Sequence, residues 1–475
     1  MKLEQLLEGL DIISIQGQLD KNVTSLTSDS RKAGEGAMFV AVRGVTVDGH
    51  SFIPTLADKK PAAIVVEEIP AEIPEGATLV VVANTAIALG ILASNWYGNP
   101  SSKLRLVGVT GTNGKTTTAT LIYEMARLMG HKAGLLSTVV NYVDTEAVHA
   151  SQTTPDPITI NSLLARMVEA GCEYAAMEVS SHAADQHRIA GLTFAGGVFT
   201  NLTRDHLDRY GFEMQNYINA KFRILQNQTP ADAFIFWEDD PVITAQLRKF
   251  ETEARLYPFA ENRHEDSAAW VDKDGKVIIN TPEEDFEMPR ADLSLHGLHN
   301  LFNSMAAGLS ACLLDIRKDS LRDALANFEG VEHRLEPAGE LDGVRWINDS
   351  KATNVNSCWY ALESMPDSKS TILILGGKDK GNDYSEILPL VKKKVKAIVA
   401  MGLHNEKIVD FFTGHVDKVV STGSLDEAVE TCRMMAEKDD TVLLSPCCAS
   451  FDLFKSYEDR GRQFKEAVRR LIDNN

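Results

Sequence analysis

The chain has 475 residues, 44% of them apolar, and a formal net charge of -19. That length suits about three domains with cores of their own, and the acidic balance argues against nucleic acid or an anionic membrane as partner. Its six cysteines show no C-x-x-C or zinc spacing, which excludes a disulfide framework and a structural zinc site and fits reduced thiols.

Residues 1–98 read as short strands alternating with turns, with strands predicted at 37–42, 62–66 and 78–82. The opening Met1-Lys2-Leu3-Glu4-Gln5 has no apolar signal core, and the apolar runs 86–93 and 397–401 are too short to cross a bilayer. A cytoplasmic protein without a membrane span is therefore expected. Tyr97-Gly98-Asn99-Pro100-Ser101-Ser102 has the punctuation of a linker.

A strand is predicted at 104–109 and a helix at 117–129, joined by Gly108-Val109-Thr110-Gly111-Thr112-Asn113-Gly114-Lys115-Thr116-Thr117. Glycines there let backbone N–H groups approach phosphate oxygens closely. Lys115 can reach the β- and γ-phosphates of a nucleotide, and the Thr116 hydroxyl can ligate Mg²⁺. The glycines fall at 108, 111 and 114, with Val109 where a strict phosphate-loop pattern has Gly. Strand, turn, Gly-Lys-Thr and helix coincide, which a chance glycine-rich turn does not explain.

Strands at 174–179, 197–200 and 233–237 continue a βαβ rhythm over about 103–334 and predict a mainly parallel sheet. The charged segment 261–276 reads as a surface excursion, and a helix is predicted at 301–315. Glu178 ends a predicted strand in Met177-Glu178-Val179-Ser180-Ser181-His182. Ligands gather at the C-terminal ends of parallel strands, so this carboxylate is a candidate metal ligand rather than a solvated acid. His206 follows the next strand in Asp205-His206-Leu207-Asp208 and offers an imidazole at the same edge. Lys221, in Ala220-Lys221-Phe222-Arg223, reads by itself as a solvated helical lysine.

Glu332-His333-Arg334-Leu335-Glu336-Pro337 marks a second linker. Beyond it, strands at 345–347, 371–375, 397–401 and 441–444 alternate with helices at 425–436 and 456–472. This is a Rossmann-like layout without a G-x-G-x-x-G fingerprint. The expected fold is α/β in three domains, 1–98, 99–334 and 335–475.

The phosphate loop, Met-Glu-Val-Ser-Ser-His, Asp-His-Leu-Asp and Ala-Lys-Phe-Arg together resemble the Mur ligase family, over essentially the whole chain. Those enzymes add amino acids stepwise to UDP-N-acetylmuramic acid (UDP-MurNAc) in peptidoglycan synthesis. The resemblance implies a UDP-binding domain, a central ATPase and a C-terminal domain that receives the amino acid. Residues 1 to about 200 resemble the MurE branch, which extends UDP-MurNAc-L-Ala-D-Glu. The carriers are Ser28-Asp29-Ser30-Arg31, Gly44-Val45-Thr46-Val47-Asp48-Gly49-His50, Thr153-Thr154-Pro155-Asp156, and Ser180-Ser181-His182 with Gln186 and Arg188. From about Asp205 the chain resembles the MurD branch, which adds D-glutamate to UDP-MurNAc-L-Ala. There the carriers are Asp205 to Tyr210, Asn348-Asp349-Ser350-Lys351-Ala352-Thr353-Asn354 and Ser445-Pro446-Cys447-Cys448-Ala449-Ser450-Phe451. The combination looks like a mosaic, engineered or reconstructed.

By this resemblance Ser30, Val45, Thr46 and Val47 meet the uridine, and Thr153, Thr154, Ser180, Gln186 and Arg188 meet the rest of the UDP-substrate. Gly111, Thr112, Asn113, Gly114, Lys115, Thr116 and Thr117 hold ATP with Asn300, Arg334 and Asp349. Thr116, Glu178, His206 and a carbamylated Lys221 hold Mg²⁺. Lys115, Lys221, His206 and Arg334 form the catalytic set. D-Glutamate carries two carboxylates, so its pocket needs cations and donors. Lys351, Lys380, Thr353, Ser450, the amide of Phe451 and the wall residue Tyr457 supply them, with Ser450 and Phe451 expected at a helix N-terminus. The expected activity is ATP-dependent, ADP-forming addition of D-glutamate to UDP-MurNAc-L-alanine, by a monomer. A MurE-type reaction on UDP-MurNAc-L-Ala-D-Glu and a silent nucleotide-binding mosaic are the alternatives. Folylpolyglutamate synthetase shares the loop but not the pattern at 28–50.

Overall fold

The computed structural model describes the chain apart from residues 45–46, 206, 283–284, 316–317, 329 and 474–475, and the side chains of 318–319. It is an α/β protein with three sheets. The first comprises β1 (Ile12–Gln16), β2 (Ser25–Thr27), β3 (Ala37–Val40), β4 (Ala63–Val66) and β5 (Thr78–Val82), in the order β1-β5-β4-β3-β2. Only β1, at the edge, runs antiparallel to its neighbour. Strands β3 to β5 are buried at every residue, the mark of parallel strands covered on both faces.

Residues 1–98 hold more helix than their sequence suggested. A 3-10 segment, Gly49–Lys59, and an α-helix, Thr85–Trp96, connect and follow the strands. The helix is apolar nearly all round, so no polar stripe betrayed its period. Asn84 starts it, its side chain accepting from the amides of Ala86 and Ile87. The stretch read as a linker is a compact turn, Pro100–Lys103, with Ser101 buried.

The second sheet has β6 (Arg105–Thr110), β7 (Ala133–Leu136), β8 (Val140–Val143), β9 (Glu146–His149), β10 (Tyr174–Glu178), β11 (Gly196–Phe199), β12 (Ala233–Trp237), β13 (Arg255–Phe259), β14 (Ala269–Val271), β15 (Lys276–Asn280) and β16 (Asp285–Pro289). Its order is β16-β15-β14-β13-β12-β11-β6-β10-β7-β8-β9. The strands from β14 to β7 pair in parallel, as the βαβ rhythm predicted. Both flanks are antiparallel. The charged segment 261–276 is therefore not only a surface excursion. Ala269, Trp270 and Val271 pair with β15 and extend the sheet.

The third sheet, β17 (Glu336–Leu341), β18 (Val344–Asn348), β19 (Thr371–Gly376), β20 (Val395–Met401), β21 (Lys418–Thr422) and β22 (Thr441–Cys447), has the order β17-β18-β22-β19-β20-β21. All but the edge strand β17 run parallel, the expected Rossmann-like layout. The chain forms two compact units, Met1–Asp292 with Phe302–Ala326, and Leu293–Leu301 with Asn327–Asn475. Among the described residues no helix is long and apolar enough to cross a membrane.

Candidate functional site

In the first unit β6 delivers the chain into the glycine-rich turn, between β10 and β11. Gly111 has φ +139°, and a Cβ there would stand 2.0 Å from Thr200 Oγ1. Gly114 caps the helix Lys115–Leu128 at φ +85°, with Asn303 Oδ1 2.2 Å from where a Cβ would be. Only glycine fits either position, because both the torsion and the space exclude a side chain. The stretch just after β11 clamps the turn. Asn113 N donates to Asn201 Oδ1 (3.0 Å), Asn201 Nδ2 to Asn113 O (3.1 Å), and Thr112 N to Asn201 O (2.9 Å). Lys115 Nζ donates to the carbonyls of Gly111 (2.8 Å) and Thr112 (3.0 Å). The helix starts two residues earlier than its apolar period suggested, so Lys115, Thr116 and Thr117 stand on its first turn.

Thr116 and Glu178, chosen from separate motifs, meet. Thr116 Oγ1 donates to Glu178 Oε1 at 2.8 Å, both groups buried. Glu178 is only 1% exposed, so it is no solvated strand-end acid. It also accepts from Thr138 N (2.8 Å) and from Thr138 Oγ1, at 3.0 Å to Oε1 and 3.1 Å to Oε2. Beside it lie the residues expected at the acyl end of the substrate. Thr154 Oγ1 donates to Glu178 O (2.8 Å), Ser180 N donates to Thr154 Oγ1 (3.0 Å), and Thr138 Oγ1 reaches Thr153 Oγ1 (3.2 Å). Arg188 closes the cluster, donating to Gln152 Oε1 (2.6 Å), Thr154 O (2.8 Å) and, through Nε and Nη2, Gln186 Oε1 (3.1 and 2.7 Å).

Lys221 is no solvated lysine. It is 1% exposed, its Nζ donates to Gly111 O at 2.7 Å and lies 4.8 Å from the Tyr217 ring centroid. Burial first, then the nearby charge of Lys115, holds its pKa well below the ordinary lysine value, opposed by Asp205. A lowered pKa favours the neutral amine, which is the nucleophilic form of a lysine. His206, the other proposed ligand on this edge, lies outside the described residues.

The expected uridine residues belong to the first sheet's loops. Ser30 follows β2, and its carbonyl accepts from Lys59 Nζ (2.5 Å). Val47 is exposed, its carbonyl accepting from Gly44 N (2.9 Å). Val45 and Thr46 lie outside the described residues.

The remaining expected residues fall in the second unit. Asn300 is buried, with Nδ2 on His296 O (2.9 Å). Asp349 is buried, accepting from Ser445 Oγ (2.8 Å) and Leu335 N (3.3 Å). Burial pushes its carboxyl up to about 6 against the opposing charge of Arg334. The same guanidinium adds to the burial that holds His299 down to about 3. Lys351 Nζ lies 5.8 Å from the Tyr457 ring, and the amide of Thr353 donates to Lys351 O (2.9 Å). Lys380 is exposed on the loop after β19. The expected helix N-terminus at Ser450 and Phe451 is not there. The helix is Tyr457–Asp473, and Ser456 Oγ accepts from Asp459 N (3.2 Å). Ser450 is buried before it in a turn closed by Phe454 N on Ser450 O (3.0 Å), while Phe451 is exposed.

Three residues here escaped the sequence reading. Thr138 follows β7 and so obeys the strand-end rule that found Glu178, but no motif flagged it. Tyr217, whose hydroxyl is 3.1 Å from Thr112 Oγ1, looked like an ordinary apolar helix position. Arg460 is wholly buried, donating to Ser350 Oγ (2.9 Å), Ser350 O (2.8 Å) and Cys448 O (3.2 Å). Its place on a charged amphipathic helix gave no sign of that.

A glycine-cradled helix N-terminus, a lysine folded over it and a hydroxyl–carboxylate pair at parallel strand ends define a nucleotide-dependent enzyme of phosphoryl chemistry. Family profiles resolve the class. The Mur ligase family catalytic domain matches residues 22–97, the Mur ligase middle domain 109–311 and the Mur ligase glutamate ligase domain 333–448. UDP-N-acetylmuramoylalanine–D-glutamate ligase of Bacteroides fragilis is 50% identical over 369 residues, covering 77% of each chain. UDP-N-acetylmuramoyl-L-alanyl-D-glutamate–2,6-diaminopimelate ligase of Parabacteroides distasonis is 38% identical over 467 residues, 94% of this chain and 93% of the relative. Among solved structures, a UDP-N-acetylmuramoyl-L-alanyl-D-glutamate–2,6-diaminopimelate ligase superposes with TM-score 0.67 at 19% identity over 94% of this chain and 93% of its own. The MurF ligase of Thermotoga maritima in complex with ADP gives 0.60 at 17%, over 94% and 98%. The chain belongs to the Mur ligase family, the ATP-dependent amide-bond ligases of peptidoglycan precursor synthesis. One relative aligns across the seam expected near residue 200, so the comparisons give no sign of a mosaic.

Proposed function

We propose that this enzyme adds D-glutamate to UDP-MurNAc-L-alanine. The acceptor carboxylate attacks the γ-phosphorus of ATP, releasing ADP and forming an acyl phosphate. The amine of D-glutamate then adds to the acyl carbon, and phosphate leaves from the tetrahedral intermediate as the nitrogen loses its proton. The observation that supports D-glutamate is the 50% identity to a ligase of that name, against 38% to one named for diaminopimelate. Chemistry agrees: Lys351 and Lys380 suit a dicarboxylate and would repel a second ammonium.

Phosphoryl transfer needs position and charge more than covalent help. Lys115, which donates to the loop carbonyls, would follow the phosphates, and Arg334 would neutralise transferred charge. The buried Thr116 hydroxyl and Glu178 carboxylate fit Mg²⁺, which takes one or two protein oxygens and completes its shell with phosphate and water. Among the described residues no cluster of three or more His, Cys, Asp or Glu competes with that site. Bound there, Mg²⁺ would supply Lewis acidity toward the phosphate oxygens. The buried amine of Lys221 would add CO₂ and release a proton, giving a carbamate that would offer the metal an anionic oxygen, with the imidazole of His206 as a neutral ligand.

Ser30, Val45 to Val47 and the Thr153–Arg188 cluster would hold the UDP-substrate. They are also what favours the second reading, a ligase acting on UDP-MurNAc-L-Ala-D-Glu. Phosphate release with ATP, each of the two acceptors, UDP-MurNAc-L-alanine and UDP-MurNAc-L-Ala-D-Glu, and each candidate amino acid is the test. D-Glutamate alone should support turnover. Release with L-lysine or diaminopimelate and none with D-glutamate overturns the reading, and no release with any pair favours the silent scaffold.

A further inference from the structure

Thr138 stands between two parts of the first unit's site. Its Oγ1 is 3.0 and 3.1 Å from the oxygens of Glu178 and 3.2 Å from Thr153 Oγ1. A threonine hydroxyl has one proton and two acceptor lone pairs, so as a donor it serves the carboxylate or Thr153, not both at once. Glu178 Oε1 has two other donors, Thr116 Oγ1 and Thr138 N. Its Oε2 is reached by Thr138 Oγ1.

We propose that Thr138 is a positioning residue that couples acceptor binding to the metal-binding strength of Glu178. When the acceptor takes a hydrogen bond from Thr153, the Thr153 oxygen becomes the better acceptor for its neighbour, because hydrogen bonds in a chain polarise one another. The Thr138 proton moves toward Thr153 and away from Oε2. That lone pair, no longer spent on a hydroxyl, would then be available to the cation. The Thr138 backbone amide stays on Oε1 throughout and keeps the carboxylate in place. Coupling of this kind is reciprocal, so the metal also tightens the acceptor. The inference rests on Glu178 as a metal ligand and Thr153 as an acceptor contact.

The test uses Mn²⁺ as a spectroscopic probe, its binding followed by electron paramagnetic resonance with a non-hydrolysable ATP analogue, with and without UDP-MurNAc-L-alanine. In the unaltered enzyme the acceptor should tighten Mn²⁺ by about fivefold or more, the usual lower size of such coupling. Thr138→Ser keeps the hydroxyl and should keep that ratio. Thr138→Val should bring it near one. Thr153→Val, which breaks the other end of the chain, should do the same at acceptor concentrations that saturate the variant, and serves if Thr138→Val does not fold. An unchanged ratio in these Val variants, or a ratio of one in the unaltered enzyme, overturns the proposal. Glu178→Gln separates this failure from that of the metal reading: if it leaves Mn²⁺ affinity unchanged, the carboxylate is not the ligand.

Discussion

Lys221 shows what burial does to a single side chain. On a helical pattern it looks solvated, yet it is packed against Gly111 O and the face of Tyr217. Replacing it with alanine should cost about a hundredfold or more in phosphate release, the scale of a lost electrostatic group in a dry site. ¹³C-bicarbonate should give a carbamate NMR signal that Lys221→Ala abolishes, and full activity in that variant would remove Lys221 from the mechanism. His299 makes a prediction about pH. Its pKa is depressed, so the folded protein keeps it neutral while the unfolded chain binds a proton below about 6.5. Its contribution to stability is present above that pH and is lost as pH falls toward 3, at no more than about 1.4 kcal/mol per pH unit. Urea unfolding of His299→Phe should show a smaller decline than the unaltered enzyme between pH 6.5 and 4. Parallel curves would mean that His299 does not titrate on unfolding.

At the scale of the element, the phosphate loop depends on two glycines and its clamp. Gly111→Ala combines a left-handed torsion with a Cβ 2.0 Å from Thr200 Oγ1. It should destabilise by about 1–3 kcal/mol from backbone strain alone and weaken ATP-analogue binding further, because the turn must move. Gly130→Ala is the control, with φ +85° and nothing within 4 Å of a Cβ. It should lower the melting temperature while leaving analogue affinity in place, and equal effects on affinity would mean that the loop geometry is not what binds phosphate. This element was legible in the chain, since its glycines, lysine and threonine sit in local succession. The helix Thr85–Trp96 was not, because a segment buried on many sides shows no periodic contrast. Ser450 was misplaced by position: the turn at Phe451 interposes before the helix, and Ser456 takes the capping role.

For the whole molecule the prediction concerns the acceptor. The nucleotide end anchors the substrate, and an acceptor longer by one residue brings a different carboxylate to the γ-phosphate. Misplacement of about 1 Å can cost around a hundredfold in rate. With D-glutamate as the amino acid, UDP-MurNAc-L-alanine should be preferred over UDP-MurNAc-L-Ala-D-Glu when phosphate release is compared side by side. A clear preference for the dipeptide acceptor would favour the second reading. The sequence by itself determined the α/β class, the phosphate loop, the family and the strand-end carboxylate, because each rests on local order: a period, a turn or a short motif. Tertiary structure decided that Thr116 and Glu178 share a hydrogen bond, that Lys221 is a buried amine and that Thr138 joins Glu178 to Thr153. Those facts depend on strands far apart in the chain pairing in parallel, and on burial, which a local pattern does not encode.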